Sequence, residues 1–159
     1  MGVCGSGKST IGNLLSQRTG WNFYEGDSFH PPENIAKMSE GTPLTDDDRL
    51  PWLLALKDLI HPTLPNKKNI IIACSALKSA YRQILQGEHE EIIWIYLQGN
   101  YPEILARMKQ RQGHFMKEEM LQSQFQILEE PEQALKVNIS LPPEAIVDKI
   151  VAYLNEVIP

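Results

Sequence analysis

Residues 2–9 of this 159-residue chain read Gly2-Val3-Cys4-Gly5-Ser6-Gly7-Lys8-Ser9. The run satisfies G-x-x-x-x-G-K-[ST], a pattern whose residue types suit polyphosphate. Glycines let the main chain turn its N–H groups inward around an anion. Lys8 adds a mobile positive charge for terminal phosphates, and the Ser9 hydroxyl is of a kind that ligates Mg²⁺. A helical pattern follows at once, so its positive end faces the same anion. Gly2, Cys4, Gly5, Ser6, Gly7, Lys8, Ser9 and Thr10 are therefore expected to hold a nucleoside triphosphate, with Ser9 on the metal.

Three further constellations suit the same chemistry. Asp27 follows a short aromatic-rich run, where a carboxylate facing a P-loop can orient a hydroxyl and accept its proton. It is also a candidate for Mg²⁺ through a bound water. Glu25 and the run Asp46-Asp47-Asp48 are weaker candidates, the triplet reading first as the negative start of a helix. Lys78 and Arg82 lie four apart after a hydrophobic run, so one helix face can carry both toward an anionic group. Arg49 can pair with Asp46 or reach a substrate carboxylate. Arg107 and Arg111 are again four apart, ahead of Gly113, as expected of a basic lid over a transferring phosphoryl group. His30, near Asp27, is a candidate hydroxyl-binding group, whereas His114 reads as structural. Cys and His show no metal-ligand spacing, so no structural zinc is expected. No N-K-x-D run for guanine appears, and no carboxylate ends the run Ile70–Ala73.

Alternating strand and helix patterns must position these groups. Helices are predicted over Ser9–Thr19, Glu33–Met38, Thr45–Ile60, Ser79–Leu85, Pro102–Gln112, Lys117–Leu128 and Pro143–Val157. Strands are predicted at Trp21–Tyr24, Asn69–Cys74, Ile92–Leu97 and Val137–Ser140. Such alternation implies βαβ units, a parallel sheet with helices on both faces, and ligands beyond the carboxyl ends of the strands. A P-loop normally hangs from the end of a buried strand, yet only Met1 precedes Gly2. The expectation is an α/β fold whose first central strand is missing, in a truncated or late-starting chain.

Bulk properties narrow the function. The net charge of −5 and a pI near 5.4 argue against a general nucleic-acid or membrane-surface binder. No apolar run is long enough for a transmembrane helix. Two cysteines, Cys4 and Cys74, make no disulfide framework and suit a reducing cytoplasm.

The chain closely resembles the gluconate kinases, small P-loop sugar-acid kinases related in fold to shikimate and nucleotide kinases. The resemblance rests on the P-loop, Gly26-Asp27 with His30-Pro31, Asn34-Ile35-Ala36-Lys37-Met38, and Pro43-Leu44-Thr45-Asp46-Asp47-Asp48-Arg49 with Pro51-Trp52-Leu53. It continues in Cys74-Ser75-Ala76-Leu77-Lys78 with Tyr81-Arg82, Gly113-His114-Phe115, and Leu121 to Phe125. It implies a P-loop NTPase-type three-layer sandwich, one kinase domain over 1–159 with a lid at about 107–128. It implies transfer of the ATP γ-phosphoryl group to the 6-hydroxyl of D-gluconate, with Mg²⁺, a cytoplasmic location and a homodimer. On that resemblance Lys8, Asp27 and Arg107 are catalytic, and Arg107 and Arg111 contact ATP. Asp27, His30, Arg49, Lys78 and Arg82 bind the sugar acid. A shikimate-type or nucleoside-monophosphate-type kinase, or a binding module inactive for want of the strand, stays open.

Overall fold

The computed structural model describes residues 1–110 and 118–158. Its elements are α1 (Lys8–Thr19), β1 (Asn22–Glu25), α2 (Pro32–Ser39), α3 (Asp46–Ile60), β2 (Ile70–Ala73), α4 (Ser79–Gln86), β3 (Ile95–Gln98), α5 (Tyr101–Gln110), α6 (Glu118–Ile127), β4 (Leu135–Asn138) and α7 (Pro143–Val157). The α/β alternation is as predicted. Boundaries move by one to three residues, most at β3, which begins at Ile95 rather than Ile92.

The strands form two parallel pairs rather than one continuous sheet, β1 with β2 and β3 with β4. Between the pairs lie Met1 and Gly2. The Gly2 amide donates to Ser75 O at 3.3 Å, and the Leu97 amide donates to Met1 O at 3.0 Å. The Met1 amino group donates to Ile95 O at 2.5 Å. Two residues thus occupy the interior position, and the spatial order reads β1, β2, Met1–Gly2, β3, β4. All four strands run the same way, so their carboxyl ends and the P-loop share one edge.

Two cores separate three layers. One joins Ile11 and Leu15 of α1, Ile104 and Met108 of α5, Leu121 of α6, and Ile146, Val147, Ile150 and Leu154 of α7. The other joins Trp52, Leu53 and Leu56 of α3 with Tyr81 and Leu85 of α4. Consecutive β3 residues part company: Tyr96 enters the second core and Leu97 the first, as alternation along a strand requires.

Two local features place the site. Gly12 of α1 lies against Phe23, where an added Cβ would sit 2.2 Å from Cε2. The missing side chain lets α1, and the P-loop that starts it, approach β1. Gly12→Ala is expected to destabilise the protein by about 1–3 kcal/mol through overpacking, read as a lower urea midpoint at unchanged m-value.

The second is the start of α3, where Thr45 and Asp48 exchange side chain-to-amide bonds of 3.1 and 2.9 Å, a capping box. Pro51 is the sixth residue of the helix, in the second turn and exposed to solvent, near the helix start where proline is tolerated. A 2.7 Å bond from Lys37, together with the Thr45 amide, holds the Asp48 carboxyl down to about 2. A depressed carboxyl contributes stability above its unfolded value, about 4, and loses it as pH falls toward 2. Asp48→Asn is therefore expected to flatten the dependence of stability on pH across that window, as followed by acid titration of the circular dichroism signal.

Candidate active site

The P-loop is strained where glycine permits it: Gly5 has φ 74° and Gly7 φ 95°, both left-handed. A Cβ on Gly7 would meet nothing within 4 Å, whereas one on Gly5 would strike Met108 at 2.8 Å. One side of the loop is therefore open and the other rests on α5. Ser6 Oγ is buried without a hydrogen-bond partner among the described residues. Lys8 Nζ curls over the loop and donates to Gly2 O at 3.0 Å and Val3 O at 2.8 Å. The exposed Ser9 hydroxyl donates to the Glu25 carboxylate. These oxygens are hard donors and fit Mg²⁺. Glu25, a weak candidate from sequence, is thus the carboxylate in contact with Ser9, whereas Cys74 follows β2. Burial pushes the Cys4 thiol up to about 11, leaving it unreactive.

Asp27 sits on a 3-10 turn, Gly26–Phe29, at the end of β1. Gly26 is obligatory there, because a Cβ would lie 2.4 Å from Ala73 O. Trp52 Nε1 donates to Gly26 O at 2.8 Å and so pins the turn from α3. The Asp27 side chain is 63% exposed, and its Oδ1 lies 4.0 Å from His30 Nε2. His30 is buried and stacks on Trp52 with centroids 4.4 Å apart. Burial lowers its pKa, against the partial opposition of Asp27.

The sugar-acid candidates form a second group. Lys78 Nζ donates to both Asp46 oxygens at 2.8 and 2.9 Å. Tyr81 donates its hydroxyl to Asp46. The Tyr81 hydroxyl lies 3.4 Å from Arg49 Nη1, and Arg49 and Lys78 each stand 5.6 Å from its ring centroid. Tyr81 is thus a hub to which the sequence assigned no role. Hydrogen bonds from Lys78 and Tyr81 hold the Asp46 carboxyl below its ordinary value. Asp46 pairs with Lys78, not with Arg49, whose Nη1 also donates to Leu44 O.

The predicted shared face of Lys78 and Arg82 is corrected by the position of α4. Lys78 is its extended N-cap, outside the helix. Arg82 is buried and points back, donating to Ala76 O at 2.9 Å and Leu77 O at 3.1 Å. Ala76 has φ 44°, a left-handed angle that is unfavourable for alanine. Arg82 clamps that turn and so sets the direction of Lys78. Glu129 completes the support by accepting the Ser79 amide at 2.6 Å.

Arg107 Nη2 donates to Ile139 O at 2.5 Å and to Glu103 at 3.3 Å. Arg111 and residues 112–117 of the expected lid lie outside the described residues. The flanking helices do reach the P-loop. Met108 of α5 underlies Gly5, and Gln124 of α6 accepts the Cys4 amide at 2.7 Å. Nothing local marks Gln124, because its partner lies 120 residues away.

A P-loop at the carboxyl edge of parallel strands, opposite a carboxylate and a cationic cluster, defines a P-loop small-molecule kinase. Comparison with known proteins agrees. The shikimate kinase family model matches residues 4–155. The chain is 41% identical to thermoresistant gluconokinase of Escherichia coli (strain K12), over 98% of this chain and 91% of that protein. It is 43% identical to a probable gluconokinase of Mus musculus, over 89% of each chain. Among solved structures, a gluconokinase from Sinorhizobium meliloti 1021 superposes with a TM-score of 0.87 at 41% identity, covering 98% of this chain and 89% of that one. A shikimate kinase from Aquifex aeolicus, at 21% identity and a TM-score of 0.60, shares the fold alone. The chain belongs to the gluconokinase family.

Proposed function

We propose that this protein transfers the γ-phosphoryl group of ATP to the 6-hydroxyl of D-gluconate, giving 6-phospho-D-gluconate. The observation that carries the proposal is the pairing of two unlike anion seats at one sheet edge. The P-loop suits polyphosphate, and the Arg49 and Lys78 cations, gathered by Tyr81 and with Asp46 as the carboxylate that Lys78 holds in this structure, suit a small acid. Asp27 lies at the carboxyl end of β1 as the proton acceptor for the attacking hydroxyl. His30, Arg49 and Lys78 hold the sugar acid, and Arg82 acts through the loop it clamps. Lys8, the loop amides and Arg107 stabilise the charge that spreads over the transferring group. Mg²⁺ would be held by Ser9 with Glu25 behind it, and supplies neutralisation of phosphate charge when bound. The proposal includes a homodimer working in the cytoplasm, as the family resemblance implies. Among the described residues no helix is long and apolar enough to cross a membrane.

The shikimate kinase family match gives one rival acceptor a specific footing. A coupled ADP-release assay with gluconate, shikimate and nucleoside monophosphates separates them. Turnover with gluconate alone is expected. Turnover with shikimate in its place, or ATP binding with no turnover on any acceptor, would displace the proposal.

A further inference from the structure

The buried contacts of Asn34 decide where His30 carries its hydrogen. Asn34 is 4% exposed. Its Nδ2 lies 2.7 Å from the main-chain oxygen of Asp48 and 3.2 Å from His30 Nδ1. A carbonyl oxygen only accepts, so the amide atom beside it must be the NH₂ nitrogen; the flipped amide would set oxygen against oxygen. One amide hydrogen goes to Asp48 O and the other to His30. His30 Nδ1 must then offer its lone pair, because a hydrogen on it would meet the Asn34 hydrogen head-on. In the neutral ring the remaining hydrogen belongs to Nε2, the nitrogen 4.0 Å from Asp27 Oδ1.

We propose that Asn34 is a positioning residue that locks His30 in the Nε2–H tautomer and makes it a fixed hydrogen-bond donor beside Asp27. The 4.0 Å separation is too long for a direct bond. An oxygen about 2.8 Å from both atoms would bridge them. A substrate hydroxyl in that place accepts from His30 Nε2–H and donates to Asp27. His30, with Nδ1 occupied and Nε2 already protonated, has no free lone pair for the hydroxyl proton, so the proton goes to Asp27. Charges around the ring do not disturb this arrangement. Asp27 and Arg49 oppose one another there, and the Asp48 carboxylate is engaged by Lys37 and Thr45. Trp52 closes one face of the ring.

The tautomer is tested on the wild-type protein by ¹⁵N-resolved imidazole NMR at neutral pH. A lone-pair type shift at Nδ1 with a protonated Nε2 is expected for His30; a protonated Nδ1 overturns the proposal whatever the activity. Asn34→Asp replaces the donor by an acceptor. It is expected to move a hydrogen onto Nδ1 in the same spectrum and, resting on the kinase reading above, to lower kcat by about tenfold or more. KM for MgATP is expected to stay within twofold. A moved hydrogen with unchanged kcat would remove the positioning role. Absence of gluconate turnover in the wild type, with the expected tautomer present, would count against the kinase reading instead.

Discussion

Lys8→Ala is expected to lower kcat/KM for MgATP about a thousandfold or more, while the melting curve stays within a few degrees of wild type. Removal of one preorganised donor from a developing oxyanion costs about 10²–10³ in rate, and cations that stabilise phosphoryl transfer reach about 10³–10⁵. On the proposed role Lys8 serves both ground-state binding of phosphate and transition-state stabilisation, so both kcat and KM should worsen. Folding should survive, because among the described residues Nζ donates to two loop carbonyls, Gly2 O and Val3 O, and to no helix or strand. Lys8→Arg should not rescue, since a planar fork does not replace a point charge in a tight loop. Steady-state kinetics beside a thermal melt decides it: activity within tenfold of wild type would deny Lys8 its place at the phosphates.

Asp27→Ala should fall mainly on kcat, by about 10²–10⁴, the range of a lost general base. The corresponding barrier increase is about 3–5 kcal/mol. The carboxylate is mostly exposed, and the turn under it is held by Gly26 and Trp52. The substitution should therefore leave both stability and KM for MgATP near wild type. Asp27→Asn is the sharper variant, because it preserves shape and hydrogen bonding but cannot take the proton. Near-normal kcat in Asp27→Asn would show that the hydroxyl attacks without this base and that positioning alone suffices.

Much of the phosphate half of the site was legible because it is local. Eight consecutive residues carry the loop, the lysine and the hydroxyl, and left-handed glycines are written directly in the pattern. The placement of Asp27 just beyond β1 was legible for a related reason: Gly26-Asp27 follows a short strand-like run, and strand ends in parallel sheets face ligands. The acceptor half was read less well. Helical spacing suggested that Lys78 and Arg82 act together, yet α4 begins one residue after Lys78, and burial turns Arg82 onto the Ala76 and Leu77 carbonyls. Asp46 read as a helix-start charge, and only tertiary packing brings it to Lys78, 32 residues away.

By itself the sequence determined the α/β alternation, the anion loop and the family, since each rests on near-neighbour order along the chain. The tertiary structure alone decided that Met1 and Gly2 bridge two strand pairs, that Glu25 faces Ser9, that Tyr81 gathers Arg49, Lys78 and Asp46, and that Asn34 directs the His30 hydrogen. Hydrogen bonds and ion pairs act over about 3–4 Å in space. Separation along the chain does not encode that distance, and only the packed fold does.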